Sequence, residues 1–118
     1  MSYLHAEAYP ASELKHGPLA LVSPETLTVA IVPSDDLYEK NLATIEEIRA
    51  RRGPVLALTH VEKLPVAVDD AIVVPKTHEL LDPLLMLVPL QLFAYHVALS
   101  RGCDIDQPRN LAKSVTVE

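Results

Sequence analysis

Cysteine is almost absent from this chain of 118 residues, which contains Cys103 and no other cysteine. A single thiol cannot form an internal disulfide or a metal site of several thiolates, so the composition favours a reducing compartment such as the cytoplasm. The five histidines include no pair at a spacing of four, and His5-x-Glu7 has no Pro-Cys-x-x-Cys partner. Without such spacings we expect no metal site.

Basic residues, glycine and aromatic residues are also scarce. Ten Lys and Arg stand against sixteen Asp and Glu, giving a net charge of −6 at pH 7, so no basic field is available to hold a nucleic acid. Three glycines are too few for a glycine-rich phosphate loop. Aromatic residues make up 4% of the chain and Trp is missing, so Leu, Val and Ala must fill the core. Such a core is typical of parallel strands covered by helices.

Long apolar runs are limited to one, from Leu84 to Leu99. The run is shorter than a bilayer requires and has charged residues at both ends, so we interpret it as a buried helix and expect no contact with a membrane. The first twenty residues also lack the basic start and apolar stretch of a secretory signal.

Strand and helix patterns alternate along the chain, which predicts an α/β fold with a parallel sheet and helices on both faces. The expected strands are 28–32, 55–59 and 71–74, with a less regular strand over 3–9. The expected helices are 12–16, 35–52 and 82–101. We assign the N-cap of the second helix to Ser34, with Asp35 and Asp36 as acids of its first turn, and its C-terminal stop to Gly53. We expect Pro89 to kink or interrupt the third helix. Residues 1–102 form the body of one domain, and 103–118 form its tail.

Two segments could carry chemistry. In Lys15-His16-Gly17-Pro18 an imidazole stands at a chain reversal, where it can act as an acid or base or simply cap a helix. Within residues 107–117 of the tail, Arg109 and Lys113 occur without an acid. A neighbouring guanidinium favours the neutral amine that attacks a carbonyl, although a solvated tail fits the same pattern.

The remaining histidines and the thiol have simpler interpretations. We expect His60 and His78 to be solvated loop residues and His96 to be a hydrogen-bonded core histidine. Cys103 is expected to be an inert small apolar residue.

Four blocks of sequence, in order, resemble the C-terminal end of the isomerising glutamine:fructose-6-phosphate aminotransferase family. They are His-Ala-Glu-Ala-Tyr from His5, Glu-Leu-Lys-His-Gly-Pro-Leu-Ala-Leu from Glu13, Val-Pro-Leu-Gln-Leu with Ala-Tyr-His-Val-Ala-Leu from Val88, and the segment from Asp106 to Glu118. The resemblance covers the whole chain but only the last part of that enzyme. It implies a partial sugar isomerase (SIS) subdomain, a flavodoxin-like parallel sheet whose first strand and helix are missing.

The resemblance also implies roles for individual residues. His16 matches the histidine that assists opening of the sugar ring and is lent to the neighbouring subunit. Lys113 matches the lysine that forms a Schiff base with the ketose, and Ala112 a residue that lines the sugar site. A sugar phosphate (fructose 6-phosphate or glucosamine 6-phosphate) is the implied ligand, a homodimer the implied assembly, and no cofactor is expected.

The family's proton-shuttling glutamate, phosphate-binding loop and glutaminase domain have no counterpart in these residues. We therefore expect the isolated chain to be inactive, although its parent would convert fructose 6-phosphate and glutamine into glucosamine 6-phosphate and glutamate. The alternative is a non-catalytic SIS module that binds or senses a sugar phosphate.

Overall fold

A computed structural model describes residues 2–107 and 109 of the chain. The chain divides into two compact units, one of residues 7–86 and one that combines the first six residues with those from Leu87 onward. The strands are β1 (Thr28–Val32), β2 (Val55–Thr59) and β3 (Asp70–Val73), and the α-helices are α1 (Tyr38–Ala50) and α2 (Asp82–Ser100). Short 3₁₀ helices cover Ala11–His16, Pro18–Leu21 and Glu79–Leu81.

The three strands form one parallel sheet in the order β1-β2-β3. Thr28 lies opposite Val55 in the first pair of strands, and Leu56 lies opposite Asp70 in the second. The prediction of a parallel α/β sheet is confirmed, with β3 beginning one residue earlier than expected.

The core of the larger unit lies between the sheet and α1. Leu42, Ile45 and Ile48 of α1 are buried together with Val32 and Val55 of the strands. These α1 residues recur every three positions and therefore share one face of the helix. All five residues of β2 are buried, as expected for the central strand of a parallel sheet. The covering of one face by α1 agrees with the prediction, while a helix on the opposite face remains a prediction.

The start of α1 differs from its predicted position. The helix begins at Tyr38, and the Asp35 side chain accepts a hydrogen bond from the backbone N–H of Leu37 at 2.9 Å. An aspartate that bonds to the backbone two residues ahead forms a turn of its own, which competes with helix formation. The predicted N-cap at Ser34 and the predicted first-turn positions of Asp35 and Asp36 are therefore wrong.

The end of α1 shows that Gly53 has a different role from the one predicted. The positive φ of 62° belongs to Arg52, and the N–H of Gly53 donates to the carbonyl of Ile48 at 3.2 Å. A Cβ on Gly53 would lie 2.5 Å from Cγ1 of Val22 and 2.9 Å from Cγ2 of Ile48. The glycine is thus required by close packing and not by a left-handed backbone.

A group of hydrogen bonds lies where α1 ends and β2 and β3 begin. Oδ2 of Asp69 accepts hydrogen bonds from the Val55 N–H at 2.7 Å and from Nη1 of Arg49 at 2.6 Å. The Val55 N–H bond and the Arg49 charge together lower the pKa of the Asp69 carboxyl below its usual value. One carboxylate therefore connects α1, β2 and the residue before β3.

Residues 2–10 contain neither a helix nor a strand, so the strand predicted over 3–9 is wrong. Tyr3 has a positive φ of 55°, which interrupts an extended backbone at the start of this segment. The short helix predicted over 12–16 is present as the 3₁₀ helix Ala11–His16.

Helix α2 is apolar but mostly exposed, contrary to the buried helix predicted. Only Met86 and Ala98 are buried along its length. Together with the preceding 3₁₀ turn it spans 22 residues, long and apolar enough by length and composition alone to cross a membrane. The apolar run predicts a helix. It does not identify the surface that covers this helix, because the same apolar residues would suit a surface near in the chain or distant from it.

Helix α2 continues through Pro89, so the proline does not interrupt it, and its C-terminal end is well defined. Gly102 has a φ of 67°, and the backbone N–H groups of Gly102 and Cys103 donate to the carbonyls of Leu99 and Ala98. This pattern is the Schellman motif that glycine favours, so the predicted C-terminal stop is confirmed.

We expect Gly53→Ala to lower the free energy of unfolding by about 1 to 3 kcal/mol, because the added methyl must displace two packed side chains. Urea unfolding followed by circular dichroism measures the change. The double variant Val22→Ala/Gly53→Ala removes the nearer contact and should recover part of the loss. Equal stability of Gly53→Ala and wild type would contradict the packing account.

Asp69→Asn should lower the unfolding free energy at neutral pH by an amount that shrinks in acid. The folded pKa of Asp69 is depressed, so its contribution is present above the ordinary carboxyl pKa near 3.8 and is lost as the pH falls through the lower folded value. Urea midpoints at pH 7 and pH 3 test this, with the exposed Asp36→Asn as control. A difference between wild type and Asp69→Asn that is the same at both pH values would contradict it.

Candidate functional site

His16 is exposed at the end of the first 3₁₀ helix. The segment around it is anchored to the core, because Leu14 packs against the core cluster and Leu19 is buried within that cluster. Anchoring leucines on either side hold the backbone while the imidazole faces solvent. An exposed imidazole is accessible for proton transfer to a ligand.

Gly17 makes the reversal after His16 possible. Its φ of 153° and ψ of −56° lie in a region that side-chain-bearing residues rarely adopt. The glycine separates two 3₁₀ helices, and Pro18 begins the second. The chain reversal predicted from Lys15-His16-Gly17-Pro18 is therefore present.

The carboxyl ends of the three parallel strands are joined by polar contacts. Nζ of Lys76, beyond β3, donates to the carbonyl of Ser34, beyond β1, at 2.9 Å. The N–H of Ser34 in turn donates to Nδ1 of His60, which follows β2, at 3.2 Å. Loops at this edge of an open parallel sheet are the usual position of ligand sites in α/β proteins.

His60 also approaches Asp82 at the start of α2. Their Nε2 and Oδ1 atoms are 3.7 Å apart, and the two side chains are 1% and 13% exposed. Neither atom has a hydrogen-bond partner among the described residues. The prediction that His60 is a solvated loop residue is wrong, because the imidazole is enclosed where β2 ends. The sequence marked Asp82 only as a helix start, and no local pattern connects it to a histidine so distant in the chain.

His78 and His96 are both exposed. His78 lies in a loop as predicted, and its Nδ1 accepts a hydrogen bond from the N–H of Leu80. His96 is exposed on α2 and stands edge-on to Tyr95, with ring centroids 5.2 Å apart. The prediction of a core histidine at position 96 is wrong for the same reason as the predicted burial of α2.

In the smaller unit, residues 2 and 3 are bound to the segment that follows α2. The carbonyl of Ser2 accepts from Nε of Arg101 at 3.0 Å and is 3.8 Å from the sulfur of Cys103. The hydroxyl of Tyr3 accepts from the N–H of Arg109 at 2.6 Å, and the Arg109 guanidinium lies 4.1 Å from the centre of the Tyr3 ring.

An open cleft of about 450 Å³ lies beside these contacts. Its lining is formed by Tyr3, Arg101, Gly102, Cys103, Asp104, Gln107 and Arg109. Two guanidinium groups and one carboxylate make the lining polar. The carboxylate is partly engaged, since Asp104 accepts from the N–H groups of Asp106 and Gln107.

The other two predicted site residues, Ala112 and Lys113, lie outside the described residues. Their proximity to His16 therefore stays a prediction. Within residues 2–107 and 109, no group of three or more His, Cys, Asp or Glu side chains could hold a metal ion.

Comparison with known proteins places this arrangement in context. Residues 1–101 match a family model described as the SIS domain. A glutamine–fructose-6-phosphate aminotransferase (isomerising) of Caldanaerobacter subterraneus subsp. tengcongensis is 54% identical over 120 residues, and one of Thermus thermophilus is 52% identical over 120 residues. Each match covers 100% of this chain and 20% of the relative.

A solved structure shows the same fold. The C-terminal domain of glucosamine-fructose-6-phosphate aminotransferase from Francisella tularensis is 41% identical, with a TM-score of 0.84, over 90% of this chain and 30% of that one. The chain thus spans about a fifth of the length of the aminotransferases it matches. With the family model covering its body and the parallel sheet matching in space, the chain belongs to the SIS domain family.

Proposed function

We propose that this chain is a segment of the isomerase region of a glutamine–fructose-6-phosphate aminotransferase. In that role it would contribute His16, Ala112 and Lys113 to a site for fructose 6-phosphate. The observation that carries the proposal is the match over 100% of the chain to relatives of that name at 54% and 52% identity. The parent would transfer the amide nitrogen of glutamine to the sugar and release glutamate and glucosamine 6-phosphate.

The exposed position of His16 supports its proposed role. Opening of the sugar ring requires a proton to leave the hydroxyl at C2 and another to reach the ring oxygen. An imidazole can do both near neutral pH. The 3₁₀ helix ends at His16, so the side chain projects from a fixed backbone into the space where a ligand or a second subunit can reach it.

Lys113 supplies the amine in the proposed mechanism. The neutral nitrogen attacks the C2 carbonyl of the open-chain ketose, and loss of water then leaves an imine between Nζ and C2. Ala112 would lie beside the sugar, where a small side chain leaves room for it. The amide nitrogen of glutamine has to come from the rest of the parent protein.

The alternative is a non-catalytic SIS module that binds a sugar phosphate as an effector. Such a module would need neither an acid–base group nor an amine at the carbonyl carbon. Detection of an imine between the protein and the sugar would therefore distinguish the enzyme from the effector-binding module.

The test uses a chimera in which this chain replaces the matching residues of the Thermus thermophilus relative, restoring the other four-fifths of the protein. Borohydride in the presence of fructose 6-phosphate should reduce the imine and attach the sugar to Lys113, as detected by peptide mass spectrometry. Lys113→Arg keeps the charge but stays protonated, so we expect trapping to be abolished.

Lys63→Arg, in the connection between β2 and β3, is the matched control and should trap sugar like the unmodified chimera. Sugar binding without any trapping in the unmodified chimera would favour the effector module. Undiminished trapping in Lys113→Arg would refute the assignment of the amine.

The proposed assembly is a homodimer in the cytoplasm, without nucleic-acid or membrane partners. One face of α2 supports association, because it presents apolar side chains three or four residues apart, each at least 39% exposed. These are Leu84, Val88, Leu92, Tyr95 and Leu99. A continuous apolar face of this kind usually has a partner surface, and identical chains most often meet through a twofold axis. The His16 segment is expected at or near the contact.

Sedimentation equilibrium at micromolar concentration should give about twice the monomer mass of 12.9 kDa. Leu92→Lys places a charge in the apolar face and should shift the chain to the monomer, whereas Gln91→Lys, its exposed neighbour, should not. A monomer mass for wild type across the dilution series would contradict the dimer.

A further inference from the structure

The segment that carries His16 is held in place by the side chains that it buries. Its two 3₁₀ helices, Ala11–His16 and Pro18–Leu21, are six and four residues long and belong to the larger unit. Helices of this kind have poorer hydrogen-bond geometry than α-helices, so they add little stability of their own. Their position is therefore determined by what they pack against.

Three apolar residues fix this segment to the core of the larger unit. Leu19 is buried in the core cluster, and Leu14 and Val22 pack against it. The contact of Val22 depends strictly on size. A Cβ at Gly53 would lie 2.5 Å from Cγ1 of Val22, a separation that packed Cβ atoms essentially never show. Val22 therefore occupies space that only a glycine at position 53 leaves free.

Backbone hydrogen bonds connect Val22 to His16. The N–H of Val22 donates to the carbonyl of Leu19 at 3.3 Å. The N–H of Ala20 donates to the carbonyl of Gly17 at 2.9 Å, and Gly17 directly follows His16. Close-packed segments transmit strain, so a displacement of Val22 is passed along this short helix to the backbone of His16.

We propose that Val22 and Gly53 form a positioning contact for His16. Because Gly53 has no side chain, Val22 lies directly against its backbone, and this contact sets where the second 3₁₀ helix lies and hence where the imidazole stands. The inference rests on the proposed role of His16 in opening the sugar ring. Neither Val22 nor Gly53 has an acid, a base or a nucleophile, so both act through the backbone of His16.

A methyl group at position 53 tests this contact. It must displace Val22, because an overpacked interior relaxes by moving side chains and backbone. A shift of about 1 Å in a group that transfers protons can lower a rate about a hundredfold. Only a cyclic sugar needs ring opening, so the effect should depend on whether the sugar is cyclic.

The kinetic test measures borohydride trapping in the chimera with two sugars. One is fructose 6-phosphate. The other is 5-deoxyfructose 6-phosphate, which lacks the hydroxyl that closes the ring and therefore stays an open-chain ketose. In Gly53→Ala we expect the trapping rate of fructose 6-phosphate to fall about tenfold and that of the open-chain analogue to stay constant. The ratio of the two rates is the readout, because a loss of folded protein lowers both rates equally.

Three further variants complete the test. Val22→Ala/Gly53→Ala removes the nearer clash and should recover part of the ratio, while the contact with Ile48 remains. Leu58→Ala truncates a buried residue on the opposite face of β2, so it should lower stability and leave the ratio unchanged. His16→Gln removes the imidazole itself and should lower the ratio at least as much as Gly53→Ala.

The outcomes separate this inference from the proposed function. Absence of trapping with both sugars in the unmodified chimera overturns the proposed function and this inference with it. An unchanged ratio in His16→Gln overturns the role of His16 and its positioning, and leaves the amine of Lys113 in place. A lowered ratio in His16→Gln with an unchanged ratio in Gly53→Ala overturns the positioning contact alone.

A second measurement needs no substrate and uses the 118-residue chain. In two-dimensional NMR of backbone amides, the signals of His16 and Gly17 should shift in Gly53→Ala and move back toward their wild-type positions in Val22→Ala/Gly53→Ala. In Leu58→Ala both signals should keep their wild-type positions. Unshifted His16 and Gly17 signals in Gly53→Ala overturn the proposal, whatever the kinetic result.

Discussion

The larger unit depends on the complete burial of β2. A parallel strand with a neighbour on each side has its backbone satisfied by the sheet, so its stability is decided by what covers its two faces. Val55 and Ala57 lie on the face that packs with α1, while Leu56 and Leu58 lie on the opposite face. The one polar residue of the strand, Thr59, is also buried, and its hydroxyl accepts the N–H of Val61 at 3.2 Å. The buried hydroxyl therefore has a hydrogen-bond partner.

Both ends of this strand are tied by contacts of different kinds. At its start, the Asp69 carboxylate bonds the Val55 N–H, and Gly53 allows α1 to approach closely. At its end, Ser34, His60 and Lys76 link the loops that follow the three strands. The first end therefore combines close packing with hydrogen bonds to a carboxylate, while polar contacts between loops hold the second end, where α/β proteins place their ligands.

The regular part of the fold could be predicted because it follows from local patterns. Short apolar runs gave β1 and β2 at their observed bounds, and apolar residues on one helical face gave the body of α1. Its start could not be predicted in the same way, because the Asp35 side chain can either cap a helix or close its own turn. The packing role of Gly53 could not be predicted either. The methyl groups that would clash with a Cβ at this position belong to Val22 and Ile48, and only the folded chain brings Val22 close.

Less of the candidate site could be predicted from the residues alone. The reversal at His16 was visible because Gly and Pro follow it directly, but the contact of Tyr3 with Arg109 joins opposite ends of the chain. The environment of His60 could not be predicted either, since Ser34 and Asp82 approach it from distant parts of the chain. Similarity to a family suggests roles for single residues, whereas contacts between residues distant in the chain are found only in the three-dimensional structure.

The contact between Ser34 and His60 determines which tautomer the imidazole adopts. Because the backbone N–H of Ser34 donates to Nδ1, that nitrogen must present a lone pair, and the ring proton of the neutral form resides on Nε2. The Oδ1 atom of the Asp82 carboxylate lies 3.7 Å from this nitrogen. The carboxylate therefore stands beside the one nitrogen that can donate to it.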